Sequence, residues 1–491
     1  MDFNKKLAVA VSSAVLLMAG QVALADSATD IVDALVAKGV LTEEEGKLIT
    51  KGHTSKTKVT PVLKEKDKNF TIESPNGENS ISLTGRVHFD GRAYDYNRDD
   101  NGVGPTASTV SSVGADTFDI RRARIGIKYK FGKYYSGEVT ANTVGTSSDV
   151  LDVGYLDVAW FEQAKFRFGQ FKMPFSLEQL TSSNNIGFIE RSFVDSFIPA
   201  KERGLQVFGE PVPGTTYALA MSNGTTSTGS SITGAEADVR VDNKDLIGRF
   251  TVNFAELMKN KEAVFHLGAA FSAGDSPLVG TGFGTFRTES RGATYFTAPT
   301  MQSTGTLDKT LDRKRYGLEF AAATGPFKIQ TQYVKVDHSF QTTSAAIDAD
   351  IKTFYVEGLW ALTGEKHADR YKAGAFGGIK PTKEFDASTF TGGAWELGAR
   401  YSSLDASDFS QTALTTVSGN VLTAGTGFTR VKGYTLGVKF LPNMNTRFML
   451  DYVGTDFENP VGAAVAAGGI AVNGKNETQE KALMFRTQFM F

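Results

Sequence analysis

The amino-acid sequence predicts an all-β fold, a transmembrane antiparallel β-barrel of about 16 strands with a short N-terminal helical segment. Three features of the 491 residues lead to this prediction. Apolar and polar residues alternate with period two from about residue 80 to the end. Tight turns and long loops alternate between these segments. The composition, with 51 Gly, 36 Phe and only 13 Pro, is typical of many short strands and turns.

Residues 1–25 are predicted to be a signal peptide that directs export. Lys5 and Lys6 form a positive start, residues 7–20 are mostly apolar or small, and Ala23-Leu24-Ala25 has the form of a cleavage site. These residues contain the only stretch of the sequence that is long and apolar enough to indicate a membrane helix. The alternative interpretation is therefore that they are retained as a membrane anchor.

Residues 26–79 are predicted to form a short periplasmic helical arm and a Lys-rich linker. Apolar residues recur at helical spacing in its first part: Ile31, Val32, Leu35 and Val36. Gly39 suits the end of this helix, and the residues from Thr42 to Glu45 have the form of a capping box that begins a second helix. The arm is interpreted as a structural or oligomerisation element, or as a contact with an anionic envelope polymer.

Residues 80–491 are predicted to form the barrel. About sixteen alternating segments are expected near residues 80–97, 117–131, 134–143, 150–161, 164–171, 203–209, 215–223, 245–255, 263–273, 315–324, 326–338, 351–362, 393–404, 428–441, 444–456 and 480–491. Long connections rich in Gly, Ser, Thr and Asn alternate with tight turns, at residues 98–116, 172–202, 224–244, 274–314, 405–427 and 457–479. Residues 363–392 break this pattern, because a long connection stands where a short turn is due.

The apolar face of each strand is predicted to point outward, toward lipid. In the first strand, Leu83, Val87 and Phe89 alternate with Arg86 and His88. A barrel of about sixteen strands encloses a space too wide for side chains to fill, so the interior is expected to be aqueous. Lipid also excludes open sheet edges, which closure removes. A soluble barrel or sandwich with a buried apolar face is the alternative, and a β-solenoid would need a short constant repeat that the sequence lacks.

Basic residues recur on the polar face, which is expected to line the lumen. They are Arg86, Arg92, Arg122, Arg124, Lys128, Lys130, Lys165, Arg167, Arg249, Arg315, Arg400, Lys439, Arg447 and Arg486. A low-dielectric wall focuses their field, which attracts anions and repels cations. Acidic residues share this face, so mutual neutralisation is the alternative: Asp90, Glu138, Asp157, Glu319, Glu357, Glu396 and Asp451. The second strand is the exception, with four basic positions and no acid on its inner face from Arg122 onward.

The composition excludes several classes of function. The chain has no cysteine, which excludes disulfides and thiol nucleophiles, and its net charge of −2 disfavours a nucleic-acid partner. Its five histidines have no H-E-x-x-H spacing, and no G-x-S-x-G motif is present. We therefore expect no enzyme activity, no cofactor and no metal, with an outer-membrane hydrolase as the alternative.

Several motifs, in order along the chain, resemble those of the phosphate-selective porin O and P family. FDIRRARIG at 118–126, GQFKMPFS at 169–176 and GAWELGARYS at 393–402 carry the resemblance. Glu190-Arg191 and Arg203-Gly204 fit the same pattern between them. Phe491 is similar to the aromatic end that outer-membrane barrels use for assembly. The resemblance extends from about residue 80 to residue 491.

This resemblance implies a homotrimer of sixteen-stranded barrels in the bacterial outer membrane that passes phosphate or related small anions. It also implies that residues 172–202 and 363–392 fold inward and narrow the pore. Lys172, Lys201 and Arg203 would then flank one constriction. The second inward connection would bring four residues to the path: Lys366, His367, Arg370 and Lys372.

The sequence as a whole predicts an outer-membrane porin for passive diffusion of small anions, surrounded by lipid. The residues expected along the anion path are Arg86, Arg92, Arg122, Arg124, Lys128, Lys130, Arg167, Lys172, Lys201, Arg203, Arg249, Arg315, Lys366, Arg370, Arg400 and Lys439. A general, weakly selective diffusion porin and a structural or adhesive barrel are the alternatives. A gated receptor for large ligands would need a longer plug domain before the first strand.

Overall fold

The computed structural model describes residues 27–57, 60–66, 69–95, 114–144, 150–224, 244–277, 285–297, 301–303, 310–341, 346–410, 420–422, 426–461, 470–472 and 475–491. The predicted signal peptide lies outside these residues. Among the helices in these ranges, none is long and apolar enough to cross a membrane. The chain divides into two units: residues up to 84 with 127–137 and Phe491, and the larger unit of residues 85–126 with 138–490.

The smaller unit begins with two helices, α1 (Ser27–Ala37) and α2 (Glu43–Thr57). Helix α1 ends before Gly39, whose φ of 69° is the left-handed conformation that favours glycine. The predicted capping box is present, because the amide of Glu45 donates to Thr42 Oγ1 at 3.2 Å and the amide of Thr42 donates to Glu45 Oε2 at 2.9 Å. The helices pack closely where Gly46 faces Val36.

A β-hairpin follows the helices, within the segment that the sequence predicts to be a linker. Its strands are β1 (Val62–Lys66) and β2 (Asn69–Glu73), which pair antiparallel. Strand β2 also pairs with the first residues of strand β3 (Ser80–Asp95), where Thr71 lies opposite Ser82. The hairpin and the first residues of β3 therefore form one continuous sheet within this unit.

Sixteen antiparallel strands form the closed barrel. After β3 they are β4 (Thr117–Phe131), β5 (Tyr135–Asn142), β6 (Leu151–Val158), β7 (Lys165–Lys172), β8 (Lys201–Gly209), β9 (Thr215–Ser222), β10 (Asp245–Asn253), β11 (Ala263–Pro277), β15 (Thr310–Thr324), β16 (Phe327–Gln341), β17 (Ala346–Ala361), β20 (Ala394–Asp405), β22 (Thr426–Leu441), β23 (Thr446–Val461) and β26 (Gln479–Met490). Strand β26 pairs with β3, from Lys481 opposite Asp95 to Met490 opposite Arg86, and this pairing closes the barrel. The predicted fold class and strand positions are confirmed to within a few residues.

Short elements lie in the connections. They are β12 (Thr285–Arg287), β13 (Thr294–Thr297), β14 (Met301–Ser303), β18 (Tyr371–Lys372), β19 (Ala375–Phe376), β21 (Asn420–Leu422), β24 (Ile470–Val472), β25 (Lys475–Glu477), and the helices α3 (Leu177–Leu180) and α4 (Phe254–Leu257). Single turns of 3₁₀-helix cover Phe193–Ser196, Ala368–Arg370 and Ser407–Ser410.

The barrel exposes apolar side chains and buries polar ones, which is the reverse of a soluble protein. Leu318 and Leu436 are each 61% exposed on the outer face, whereas His88 and Arg486 on the inner face are fully buried. The exposed apolar surface has no aqueous partner and requires hydrocarbon around it. The predicted orientation of the two faces is therefore confirmed.

The interior of the barrel differs from the aqueous space that the sequence predicts. Residues of inward-folded connections, including Phe175, Phe193, Tyr295 and Phe296, pack with strand residues such as Phe428 into a buried apolar core. Side chains of the strands alone would not fill so wide a barrel. The connecting segments occupy part of the remaining space, because they bring their own apolar residues.

Candidate functional site

Residues 173–200, between β7 and β8, fold into the barrel, and we call them the inner segment. Several of its apolar side chains are at most 1% exposed, among them Met173, Phe175, Leu177, Phe188 and Ile189. Phe188 packs against the wall where Gly398 leaves space, since a Cβ on Gly398 would lie 2.9 Å from the Phe188 ring. The inward course implied by the resemblance is present for this segment.

Polar side chains of the barrel wall hold the backbone of the inner segment. The amide of Leu177 donates to Glu319 at 2.8 Å, and the amide of Ile189 donates to Asp451 at 2.6 Å. Arg400 donates to the carbonyl of Glu190 at 2.9 Å. Buried backbone groups need such partners, so part of the polar inner face serves to fix this segment.

A second inward hairpin, residues 285–297, lies beside the inner segment. Glu289 at its tip accepts hydrogen bonds from the amide of Phe193 at 3.0 Å and from Arg400 at 2.7 Å. Tyr94 of the wall donates to the carbonyl of Ser290 at 2.9 Å. From the sequence, this region is predicted only to be a long connection. Its inward course is seen only in the folded structure.

The connection of residues 363–392 also packs inside the wall. The carbonyl of Gly374 accepts a hydrogen bond from Arg249 at 2.8 Å, and the hydroxyl of Tyr371 lies 2.6 Å from His266 Nδ1. Phe376 is buried against Leu177 of the inner segment. The long connection that breaks the turn pattern therefore supports the inner segment.

A cavity of about 420 Å³ lies between the inner segment, the 285–297 hairpin and strand β4. Five arginines line it: Arg121, Arg122, Arg191, Arg287 and Arg291. Three carboxylates line it as well: Glu190, Asp195 and Glu289. The excess of two positive charges makes this arginine cavity electropositive.

Glu190 is the carboxylate around which the arginines gather. Arg121 binds it with Nε at 2.7 Å and Nη2 at 3.3 Å, and Arg92 lies 3.3 Å away. Arg486 contacts it at 3.4 Å, and Arg122 at 3.9 Å. Burial alone raises the pKa of Glu190, but the arginines outweigh burial and hold this pKa well below its usual value. Glu190 therefore stays ionised and keeps the arginines together.

Two further basic clusters lie on the wall at opposite ends of strand β6. Asp152 at one end binds Arg124 at 2.9 Å and also pairs with Lys201. Asp157 at the other end accepts two hydrogen bonds from Arg167, at 2.6 and 2.7 Å. Other elements thus supply acidic partners to the inner face of β4, because Arg124 pairs with Asp152 and Arg122 with Glu190. The sequence shows no such partners within this face of the strand.

Four of the predicted path residues are buried in ion pairs with the wall or an inward segment. Arg249 binds Glu319 at 2.9 Å and Arg315 binds Asp245 at 3.0 Å. Arg400 binds Glu289, and Lys439 donates to Glu396 and to the carbonyl of Ile186. The structure does not bring these four residues into the arginine cavity.

The remaining predicted residues have varied positions. Lys172 donates to carbonyls at the end of α3, including Thr181 at 3.1 Å. Arg86 donates to Ser183 at 2.9 Å, and Arg203 to Gln170 at 3.2 Å. Lys366 pairs with Glu262 at an exposed position. Three more of the predicted path residues have exposed side chains: Lys128, Lys130 and Arg370.

Sequence reasoning misses four of the five arginines of the cavity. Arg121 is missed because the alternation of β4 shifts by one residue: Phe118 and Ile120 are exposed, yet Arg121 and Arg122 both reach Glu190 inside. Arg191, Arg287 and Arg291 lie in connections, where period-two reasoning gives no face. The adjacent pair of arginines in the strand is the one signal that could have indicated the shift.

No metal centre is present in the described ranges, since no three His, Cys, Asp or Glu side chains there are placed to hold an ion. The charged groups of the cavity are instead suited to electrostatic contact with a passing solute.

A closed sixteen-stranded barrel with an apolar outer face is the fold of an outer-membrane porin. The chain belongs to the phosphate-selective porin O and P family, whose profile matches residues 81–491. This membership places the barrel in the bacterial outer membrane and identifies it as a channel. No curated protein sequence is significantly similar to the chain.

Three solved structures have a similar course of the chain. The outer membrane channel DcaP of Acinetobacter baumannii has 11% identity and a TM-score of 0.48, with 84% of this chain and 98% of that chain covered. The in-vitro folded OmpT of Vibrio cholerae has 10% identity and a TM-score of 0.47, with the same coverage. An anion-selective porin from Comamonas acidovorans has 12% identity and a TM-score of 0.45, with 84% and 100% covered.

Proposed function

We propose that the channel selects small anions, phosphate or similar oxyanions, for passive diffusion, without catalysis or a cofactor. One observation carries the proposal: the cavity at the inner segment has five arginines against three carboxylates. Two uncompensated charges act on any solute that enters a narrow, low-dielectric space. Such a field raises the local concentration of anions and lowers that of cations.

The chemistry of the cavity favours oxyanions over simple halides. A guanidinium group presents a planar fork that matches two oxygens of a phosphate or carboxylate. The Nη1 group of Arg122 is buried and has no hydrogen-bond partner among the described residues. An oxyanion in the cavity would supply the acceptor that this group lacks.

The selectivity of the channel is tested by reversal potentials under a KCl gradient in planar bilayers. We expect wild type to favour chloride, and Arg121→Ala with Arg122→Ala to lower the anion-to-cation permeability ratio. A unit charge at 4 Å in water is worth about 1 kcal/mol, or about a fivefold change in local anion concentration. Arg430→Ala is the matched control, because this exposed arginine pairs with Asp405 and is not among the cavity residues. An unchanged ratio in the double variant would contradict the proposal.

Phosphate block separates an oxyanion site from a general diffusion pore. The rival is favoured by the pairing of Arg124 and Arg167 with Asp152 and Asp157, which neutralises much of the wall. If the cavity binds oxyanions, added phosphate will reduce the chloride current and the effect will saturate. A chloride current indifferent to phosphate would support the weakly selective porin. An adhesive barrel would show no steady conductance.

We also propose that three copies assemble through the wall of strands β5–β10. These six strands have 8 or 9 residues, whereas β11, β15, β16 and β17 have 15 or 16. Eight residues extend about 27 Å, or about 21 Å across the membrane at a tilt of about 40°, less than the apolar band of about 25 Å. Neighbouring copies would cover this short wall.

A further inference from the structure

An apolar groove of about 810 Å³ lies on the outer face of the barrel, away from the anion path. It crosses strands β11, β15, β16, β17 and β20 near the rim that carries the short turns. Phe327 and Trp360 border it and are 54% and 46% exposed, so the groove opens outward. In barrels of this kind the short turns face the periplasm, which places the groove at the periplasmic leaflet.

The groove arises where small residues, Ala322, Gly358 and Ala399, stand beside the larger Ile329 on the outer face. Ala322 lies opposite Ile329, Ile329 opposite Gly358, and Gly358 opposite Ala399 in neighbouring strands. The next row toward the rim is large, because Phe327 lies opposite Trp360 and Trp360 opposite Leu397. A Cβ built on Gly358 would meet nothing within 4 Å. Small residues below a bulky row therefore leave a depression in the wall.

The surroundings of the groove determine what can fill it. Water is excluded at this apolar surface, and an empty depression would lose the dispersion contacts of its lining atoms. The groove lies on the wall of long strands, which span the apolar band without a neighbouring copy. A flexible hydrocarbon chain is the available material at this depth.

Charges at the rim indicate the headgroup. Met258 and Asn260 line the groove, and the exposed Lys259 and Lys261 lie beside them in the same turn. Of the two acids in this turn, Glu262 is paired with Lys366, and Glu256 is the other. The turn with Lys366 thus has three lysines against two carboxylates. We propose that the groove binds an anionic phospholipid of the periplasmic leaflet, with an acyl chain over Gly358 and the phosphate near Lys259 and Lys261.

The test uses the full-length protein with phosphatidylglycerol as the probe, and phosphatidylcholine for comparison. Brominated acyl chains quench Trp360 when they lie in the groove, and native mass spectrometry counts retained lipids. Gly358→Leu fills the groove and is expected to lower both quenching and retention severalfold. Gly454→Leu is the matched control, since Gly454 is another strand glycine whose Cβ would meet nothing within 4 Å. It is expected to bind lipid like wild type.

A second pair of variants tests the headgroup. Lys259→Ser with Lys261→Ser is expected to reduce retention of phosphatidylglycerol to that of phosphatidylcholine. Each variant is compared only after its conductance in bilayers matches wild type, which shows that the barrel has folded. Equal retention by Gly358→Leu and wild type would overturn the proposal. A change in the number of copies per assembly on Gly358→Leu would also overturn it, because the occupant would then be a second copy of the chain.

Discussion

At the scale of single residues, one carboxylate holds together the arginines of the arginine cavity and its surroundings. Glu190 is buried, yet four arginines from β3, β4 and β26 contact it within 3.9 Å. Asp90 shares two of these arginines, with Arg486 at 2.6 Å and Arg92 at 2.7 Å. Four positive charges thus meet two negative ones. The surplus remains positive, while the shared carboxylates offset the repulsion that would otherwise separate the arginines.

Glu178 predicts a pH dependence of the channel. Its carboxylate accepts hydrogen bonds from the amide and hydroxyl of Ser192, at 2.9 and 2.7 Å. Burial raises the pKa of Glu178 to about 7, and Arg400 counters this only in part. Between pH 5.5 and 8.5 a negative charge therefore forms behind Ser192, which lines the arginine cavity. We expect the anion-to-cation permeability ratio to fall over this range, as measured by reversal potential.

The same residue fixes the sign of a stability effect. Because the folded-state pKa lies above the ordinary value of about 4.3, the stability that Glu178 contributes is fully present below that value and is lost as pH rises through about 7. Glu178→Gln keeps the hydrogen-bond acceptor and cannot ionise. Its permeability ratio should respond to pH between 5.5 and 8.5 less than that of wild type, and a response equal to that of wild type would assign the effect to another group.

At the scale of elements, strand β4 shows why a regular period mispredicts a face. Phe118 stacks on Phe89 of the outer surface with ring centroids 5.8 Å apart, which fixes even-numbered residues outward at the start of the strand. Further along, Arg122 is buried, so even-numbered residues there point inward. The face of the strand therefore changes between Ile120 and Arg122, and the two adjacent arginines reach the same carboxylate. The arginine cavity gains a charge that strict alternation would place on the outer face.

The fit of the inner segment to the wall predicts the effect of one substitution. A Cβ on Gly398 would lie 2.7 Å from Leu359 Cδ2 and 2.9 Å from the Phe188 ring. Gly398→Val should therefore displace Phe188, at a cost of about 1–3 kcal/mol for overpacking. We expect a lower single-channel conductance, because the inner segment is pushed away from the wall toward the cavity. Gly454→Val, in open space, should conduct like wild type. Unchanged conductance in Gly398→Val would show that the segment does not set the pore.

At the scale of the whole molecule, the barrel has two unequal walls. The short strands β5–β10 cannot cover the apolar band at the usual tilt, and the long strands cover it with length to spare. Leu205 on the short wall is 46% exposed, and Leu436 on the long wall is 61% exposed. In the proposed trimer the first leucine contacts another copy, while the second contacts lipid.

The contrast between the short and the long wall predicts which substitution dissociates the proposed trimer. Leu205→Glu places a buried charge in the proposed contact and should convert trimers to single barrels in detergent, as weighed by mass photometry. Leu436→Glu introduces the same charge on the long wall and should leave the trimer intact. A trimeric Leu205→Glu protein, or a wild type found as single barrels, would be incompatible with this assembly.

Much of the fold was predictable because strand formation and membrane orientation are local. Period two gives the face of each residue, and tight turns give the strand ends, as in β4 and β22. The polarity of the two faces follows from solvent alone, since only hydrocarbon accepts residues such as Leu318 on the outside. Part of the site was predictable for the same reason: Arg92 and Arg122 point inward because they lie on a polar face.

Local patterns are enough to predict the barrel, its approximate strands and the family, because each of these depends on stretches of ten or twenty residues. The pairing of charges, in contrast, follows from the folded barrel. Arg486 and Asp90 are 396 positions apart, and Arg121 and Glu190 are 69 apart. The inward course of residues 285–297 was likewise hidden, because a connection has no period to give its direction. Barrel closure and loop packing bring such distant groups together, and no local pattern records that contact.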